Sequence, residues 1–433
     1  MIRFRSTRGD PSAVPLSAAL YRGIAPDGGL YVAERLPRRP LEDFSGQETL
    51  AEIGETLLRP FFEGDVLEPA LSAIAADAFS IPTPLVPIPG ERASMLELYR
   101  GPTAAFKDFG ARFLAAALER LAGPARQRPL TILVATSGDT GGAVAAAFHR
   151  RPFARVVVLY PRGLVSPRQE QQLTCWGDNV QALSVRGTFD DCQRLVKEAF
   201  ADPTLNAALD FSSANSINVG RLLPQAAYYA LASLQIFRAQ GAKASFVIPS
   251  GNLGNSLACV WAKEMGLPIH RILLAHNQNR SVPDLLASGR FEPRPSVATL
   301  ASAMDVGNPS NLERLRALYP RLEQLRAEVS AISVDDEAIR QRIRAEHAAT
   351  GMILCPHTAT AAEAYRQLPL EERQAGPWVW VATAHPAKFP ETVEPLIGEA
   401  VPIPESLAGL LALPPHKTEI EASLPALAAQ LCP

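Results

Sequence analysis

Lys107 sits between aromatic residues in the stretch Arg100-Gly101-Pro102-Thr103-Ala104-Ala105-Phe106-Lys107-Asp108-Phe109, and helix-forming residues follow it. Partial burial there would lower its pKa and favour the neutral amine, the form that makes a Schiff base. An exposed lysine paired with Asp108 is the more common arrangement for an isolated lysine. Two other stretches carry groups suited to anions. Ser250-Gly251-Asn252-Leu253-Gly254-Asn255 directly follows the apolar run Ser245 to Pro249. Glycines between a strand and a helix let backbone N–H groups converge on an anion at the helix N-terminus, and they equally serve a plain tight turn. Ala135-Thr136-Ser137-Gly138-Asp139-Thr140-Gly141-Gly142 is also a strand-to-helix turn, with three hydroxyls. It suits a carboxylate or phosphate, and its Ser, Asp and Thr suit ordinary helix capping. Neither stretch matches GxGxxG or GxxxxGK[ST], so dinucleotide and P-loop sites are not indicated.

The elements that must hold these turns follow from the hydrophobic pattern. Leu130 to Ala135 (LTILVA), Val156 to Tyr160, Ser245 to Ile248 and Ile269 to Ala275 are short continuous apolar runs. Helical stretches at 142–149 and 256–265 alternate with them. Continuous apolar strands alternating with helices predict an α/β fold with parallel sheet buried on both faces. Ligands then bind at the carboxyl ends of the strands, where both turns lie. The proline-rich stretch 81–90 (IPTPLVPIPG) cannot be helical and marks the end of a mainly helical N-terminal segment.

Composition narrows the function classes. The chain has 433 residues, enough for two or three domains, with 47% hydrophobic and 20% charged residues, which is globular composition. Lys plus Arg is 42 and Asp plus Glu is 44, a net charge of −2 that offers no global field for nucleic acid or anionic lipid. Cys175, Cys192, Cys259, Cys355 and Cys432 form no CxxC pair, so neither a disulfide framework nor a structural zinc site is expected. His357 and His385 lack a third ligand at recognisable spacing; no metal is expected, and structural or supporting roles near the active site are expected of both. The start MIRFRSTRGD lacks a signal-peptide apolar stretch, and no 18-residue uncharged apolar run occurs. A cytoplasmic protein without membrane or nucleic-acid partners is expected.

Taken in order, FRSTRG, GPTAAFKDFGARF, ATSGDTGGAV, NSINVGRLLPQ, PSGNLGNSLA, SAMDVGNPSN and TAHPAKF resemble the signature blocks of the threonine synthases. That family belongs to the fold-type-II, tryptophan-synthase-β-like pyridoxal-phosphate enzymes. The resemblance runs from near residue 3 to about residue 395. It implies two open, twisted α/β lobes closing over one pyridoxal 5'-phosphate, with the additional N-terminal helical segment. The expected division is 1–85 for that segment, 86–109 with 216–433 for the large coenzyme lobe, and 110–215 for a small mobile lobe. The implied substrate is O-phospho-L-homoserine, converted with water to threonine and phosphate by γ-elimination and β-addition. A related elimination or replacement on another activated amino acid is the alternative, and a monomer or homodimer is expected.

The resemblance also implies roles. Lys107 matches the lysine that carries the coenzyme. Ser250, Gly251, Asn252, Leu253, Gly254 and Asn255 match the cradle of the coenzyme phosphate, Thr383 the hydroxyl facing the ring nitrogen, and Asp139 the position near the ring 3-oxygen. Ser137, Gly138 and Thr140 match the loop for the substrate carboxylate, expected to move on substrate binding. Ser216, Asn218 and Arg221 match the region that receives the substrate's own phosphate, with a helix beginning at Ser216 placing Arg221 within two turns of its start. Met304 and Asp305 are expected in the pocket wall. Arg100 stands where the family usually has His, Ala104 where it has Leu, and Leu253 where it has Phe; Arg100 either adds positive charge near a phosphate or points to solvent.

Overall fold

The computed structural model describes residues 1–123 and 128–432. Two separate sheets carry the fold. The larger has six strands in the spatial order Val329–Ser333, Ile269–His276, Ala244–Pro249, Trp378–Ala382, Ala93–Glu97, Leu85–Pro87. All its neighbours are parallel except the last pair. The smaller has five parallel strands, Thr418–Glu421, Val180–Arg186, Ala154–Pro161, Leu130–Ala135 and Asp210–Ser213. Every residue of Leu130–Ala135, Ala244–Pro249 and Trp378–Ala382 is buried. Both faces of these strands are covered by helices, which is why no polar alternation shows in them. The α/β fold with a helical N-terminal segment is as expected.

That segment contains the helices Leu16–Arg22, Leu50–Phe62 and Leu71–Ala78, plus a strand pair, Phe4–Ser6 with Tyr31–Ala33. Thr49 and Glu52 close a capping box at the start of the long helix. Its Ile53, Leu57, Phe61 and Phe62 join one core with Phe113 and Leu114 of the helix Lys107–Ala122 and with residues of both sheets. Two further cores lie on the opposite faces of the sheets, one around Trp378 and Trp380, the other around Leu133, Leu183 and Leu427. The proline-rich stretch forms no helix; Leu85–Pro87 is an edge strand, where proline removes no needed donor.

Two details differ from the expected division. The boundary at 109/110 falls inside the continuous helix Lys107–Ala122. The strand Thr418–Glu421 pairs with Leu183 to Arg186 in the smaller sheet, and Leu427 and Leu431 of the next helix cover that sheet. The C-terminal segment therefore returns to the smaller sheet instead of staying in the larger lobe. Its four-residue strand buries Ile420 alone, too little hydrophobic pattern to read.

Candidate active site

A cavity of about 380 Å³ opens between the two sheets, lined by turns that follow Leu130–Ala135, Asp210–Ser213, Ala244–Pro249 and Trp378–Ala382. These are carboxyl ends of parallel strands, where open α/β sheets bind ligands. Lys107 is the first residue of its helix and lines the cavity. Residues 104–106 pair antiparallel with 383–385: Phe106 N–H donates to Thr383 O (2.9 Å) and His385 N–H to Ala104 O (3.0 Å). That pairing brings Thr383, 276 positions away in sequence, to the same cavity. Asp108 is buried and accepts from Thr103 N–H (2.9 Å) and Thr103 Oγ1–H (2.6 Å), holding the turn before Lys107. Asp108 is thus not the partner of an exposed Lys107. Burial lowers the Lys107 pKa to about 8; Asp139 opposes the fall, and Arg221 and Lys388 add to it. A neutral amine is therefore accessible near neutral pH.

On one wall, Ser250, Gly251, Asn252, Leu253, Gly254 and Asn255 all face the cavity. The helix Gly254–Glu264 starts without a side-chain cap, and its N-cap Leu253 has φ 62°. Its first-turn N–H groups are left for a ligand. A Cβ on Gly251 would lie 2.7 Å from Met304 Cα, so only glycine lets the loop 303–306 close over this turn. Asn252 Nδ2 donates to Ser216 Oγ (2.6 Å), and its Oδ1 accepts from Ser310 N–H (2.5 Å). Asn255 Oδ1 accepts from the Tyr228 and Tyr229 hydroxyls, while its Nδ2 is buried with no partner among the described residues. An orphaned donor, an uncapped helix start and a cradle that a Cβ would fill together fit a phosphate.

The opposite wall holds Ser137, Asp139 and Thr140. Thr136 Oγ1 accepts from Gly138 N–H (3.0 Å) and Gly141 N–H (2.9 Å) and shapes the turn. Gly138, at φ 142°, is the N-cap and supplies no side-chain cap; with Gly141 N–H held by Thr136, the N–H groups of Asp139 and Thr140 are left for a ligand. Gly138 itself lies behind the wall, packed on Gln169. Burial pushes the Asp139 carboxyl up, but Lys388 and Lys107 outweigh it and hold Asp139 well below the usual carboxylate range.

Ser216 and Arg221 line the third side. The helix there is Val219–Leu222, not one beginning at Ser216, and Asn218 is its cap. Asn218 does not reach the cavity. Its Nδ2 donates to Leu20 O and Ser213 O, both 2.9 Å, and its Oδ1 accepts from Gly220 N–H. With every polar group of its side chain engaged, Asn218 shapes the turn and has nothing left for a ligand. Arg221 is buried, donates to Ala214 O, and has an unpartnered Nε. Burial pulls its pKa down to about 10, against the pull of Asp108. Arg100 is half-exposed, ion-paired with Glu97, and outside the cavity lining.

His357, His385 and Asp305 are expected near the site from the sequence, and the structure gives each its contacts. His357 lines the cavity and accepts Ala303 N–H on Nε2 (3.1 Å), and burial lowers its pKa to about 4. Asp305 accepts from Asn277, Asn279 and Thr299 and so pins the loop that covers Gly251. His385 caps the turn Pro386–Lys388. Among the described residues no group of three or more His, Cys, Asp or Glu is placed to hold a metal.

A family model described as pyridoxal-phosphate dependent enzyme matches residues 78–383, and models of the threonine synthase N terminus and C-terminal part match 3–79 and 358–430. The chain belongs to the threonine synthase family. It is 40% identical to the threonine synthase of Serratia marcescens over 403 residues, covering 93% of this chain and 92% of the relative. The crystal structure of threonine synthase from Escherichia coli superposes with TM-score 0.90 at 37% identity, covering 99% of both chains. The PLP-bound threonine synthase from Brucella melitensis superposes with TM-score 0.91 at 33% identity, covering 100% of this chain and 99% of that one. As a member of the threonine synthase family, the chain is a pyridoxal-phosphate-dependent lyase.

Proposed function

We propose that the cavity makes threonine and phosphate from O-phospho-L-homoserine and water, with Lys107 as the residue that carries the coenzyme. The observation that supports this most is Lys107 itself: an amine whose pKa is drawn down to about 8, at a cavity whose three other sides each offer donors for an anion. When bound, pyridoxal phosphate supplies the electron sink that acidifies the substrate's α-carbon. Ser250 to Asn255 would hold its phosphate, Thr383 would meet its ring nitrogen as a neutral hydroxyl, and Asp139 would lie near its 3-oxygen.

The first-turn N–H groups beside Ser137 and Thr140 take the substrate carboxylate, and Ser216 and Arg221 take its phosphate. Lys107 Nζ, neutral when displaced by the substrate amine, removes the α proton and then a β proton, phosphate departs from Cγ, and the lysine returns a proton at Cγ. Water then adds its hydroxyl at Cβ, and a proton is returned to Cα. Closure of the turn 137–142 toward the opposite wall would keep bulk water out until that step. No described helix is long and apolar enough to cross a membrane, and we place the reaction in the cytoplasm.

The test is phosphate release from O-phospho-L-homoserine with threonine identified as product. Lys107→Ala should lose all turnover yet still bind the coenzyme non-covalently. Turnover by that variant, or elimination products without threonine from the wild type, would overturn the assignment.

A further inference from the structure

Lys388 is fully buried and lies outside the cavity lining. Its Nζ forms an ion pair with Asp139 Oδ1 at 2.8 Å and donates to Thr103 O at 2.8 Å. One ammonium therefore joins the cavity wall at Asp139 to the turn that leads into Lys107. Gln169 Nε2 also donates to Asp139 Oδ1 (3.0 Å), and Gln172 Nε2 to Thr103 O (3.0 Å), so the same two acceptors are held from the helix Pro167–Thr174 as well.

A buried carboxylate needs a cation, and two lysines face Asp139. If Lys107 were its partner, Lys107 would be held as an ammonium, unable to attack an aldehyde or to take a proton. The other charged groups around the cluster do not settle the matter. Arg221 repels a charge on Lys107, Asp108 lies behind Thr103 and interacts with Lys388, and His357 and His385 are neutral near pH 7, burial having lowered both to about 4. We propose that Lys388 is a positioning residue: it binds Asp139 as its counter-ion, fixes that carboxylate at the wall, and leaves Lys107 free to shed its proton. The proposal rests on Lys107 being the coenzyme lysine.

The test compares wild-type holoenzyme with Lys388→Met, which keeps the chain's length without its charge, and with Asp139→Asn/Lys388→Met, which leaves no unpaired charge. Borohydride fixation of the coenzyme to the Lys107 peptide is established first in the wild type. Failure there sinks the reading of the site and not the role of Lys388. Two quantities are then followed against pH: the absorption band of the bound coenzyme without substrate, and the acid limb of kcat. In Lys388→Met, Asp139 turns to the nitrogen of Lys107 and favours its protonated form, so both midpoints should rise by about one pH unit. Activity at neutral pH should fall about tenfold in proportion. In the double variant the spectral midpoint should return to within a few tenths of wild type. A purely structural staple would lower the melting temperature of both variants and move neither midpoint, and that result would overturn the proposal. So would a double variant no closer to wild type than the single one. Should Lys388→Met not fold, Asp139→Asn is set against the double variant: an unpaired Lys388 should lower the spectral midpoint in Asp139→Asn and its removal in the double variant should restore it, and equal midpoints in the two would refute the proposal.

Discussion

Arg221 offers a prediction in which stability and activity move in opposite directions. The residue is 3% exposed, and its guanidinium touches a backbone carbonyl and has no carboxylate in contact among the described residues. Burial draws its pKa down to about 10, and the attraction of Asp108 does not make up for the lost water. Gly110 makes this possible: a Cβ there would meet Arg221 O at 2.5 Å. A charge kept in this state is waiting for an anion. Arg221→Met retains most of the apolar stem and removes the charge. Without substrate or phosphate, the variant should melt no lower than wild type. With O-phospho-L-homoserine, kcat/KM should fall by about 10²- to 10³-fold, the loss of a buried charge-assisted contact of about 3–4 kcal/mol. Inorganic phosphate should raise the melting temperature of the wild type and leave that of the variant unmoved. The coenzyme's absorption should be unchanged. A variant that melts several degrees lower yet keeps its kcat/KM would refute the reasoning, since Arg221 would then be a structural group that burial does not penalise.

Gly251→Ala places a Cβ 2.7 Å from Met304 Cα, a backbone atom, so either the turn or the loop over it must shift. We expect coenzyme affinity, read by absorbance titration, to weaken by about ten- to a hundredfold, from an overpacking penalty of about 1–3 kcal/mol; unchanged affinity would mean that the loop gives way freely. Burial lowers His357 to about 4 and His276 to about 3. Both therefore bind fewer protons folded than unfolded between these values and the ordinary 6.5, and stability is lost as pH falls through that window, by a few kcal/mol at most for each. The melting temperature should drop from pH 6.5 toward 4, and His357→Gln, whose amide oxygen can still accept Ala303 N–H, should make the drop shallower; parallel curves for the two proteins would contradict this.

The parts of the fold legible in the sequence are those whose signal is local. Leu130–Ala135 and Ala244–Pro249 are continuous apolar runs that end in glycine-bearing turns, and they place both anion-facing loops. The strand Thr418–Glu421 has one apolar residue in four and buries only that side chain, too little pattern to show its return to the smaller sheet. Asn218 shows the limit for side chains. Its type suits a phosphate ligand, and only the positions of Leu20 O and Ser213 O reveal that its amide is already used. Lys388 belongs to the quoted stretch TAHPAKF, but a bond from residue 388 to residue 139 has no local pattern.

The near-neutral total charge says little about what this cavity attracts, because the charges that matter are buried and few. Lys107, Arg221 and Lys388 stand against Asp139 and Asp108, and the pair Lys388–Asp139 cancels at 2.8 Å. Asp108 is spent on Thr103, and burial raises its pKa to about 6. What remains unbalanced is Arg221, Lys107 when protonated, and the free first-turn N–H groups at the starts of Asp139–Phe148 and Gly254–Glu264. In a low-dielectric interior these act at closer to full strength than the 42 basic and 44 acidic residues of the whole chain, most of which water screens. A substrate with two anionic groups and a coenzyme with a phosphate would supply the missing countercharge. Binding and the relief of buried desolvation are then one event, which is why removing Arg221 should spare the empty protein and disable the loaded one.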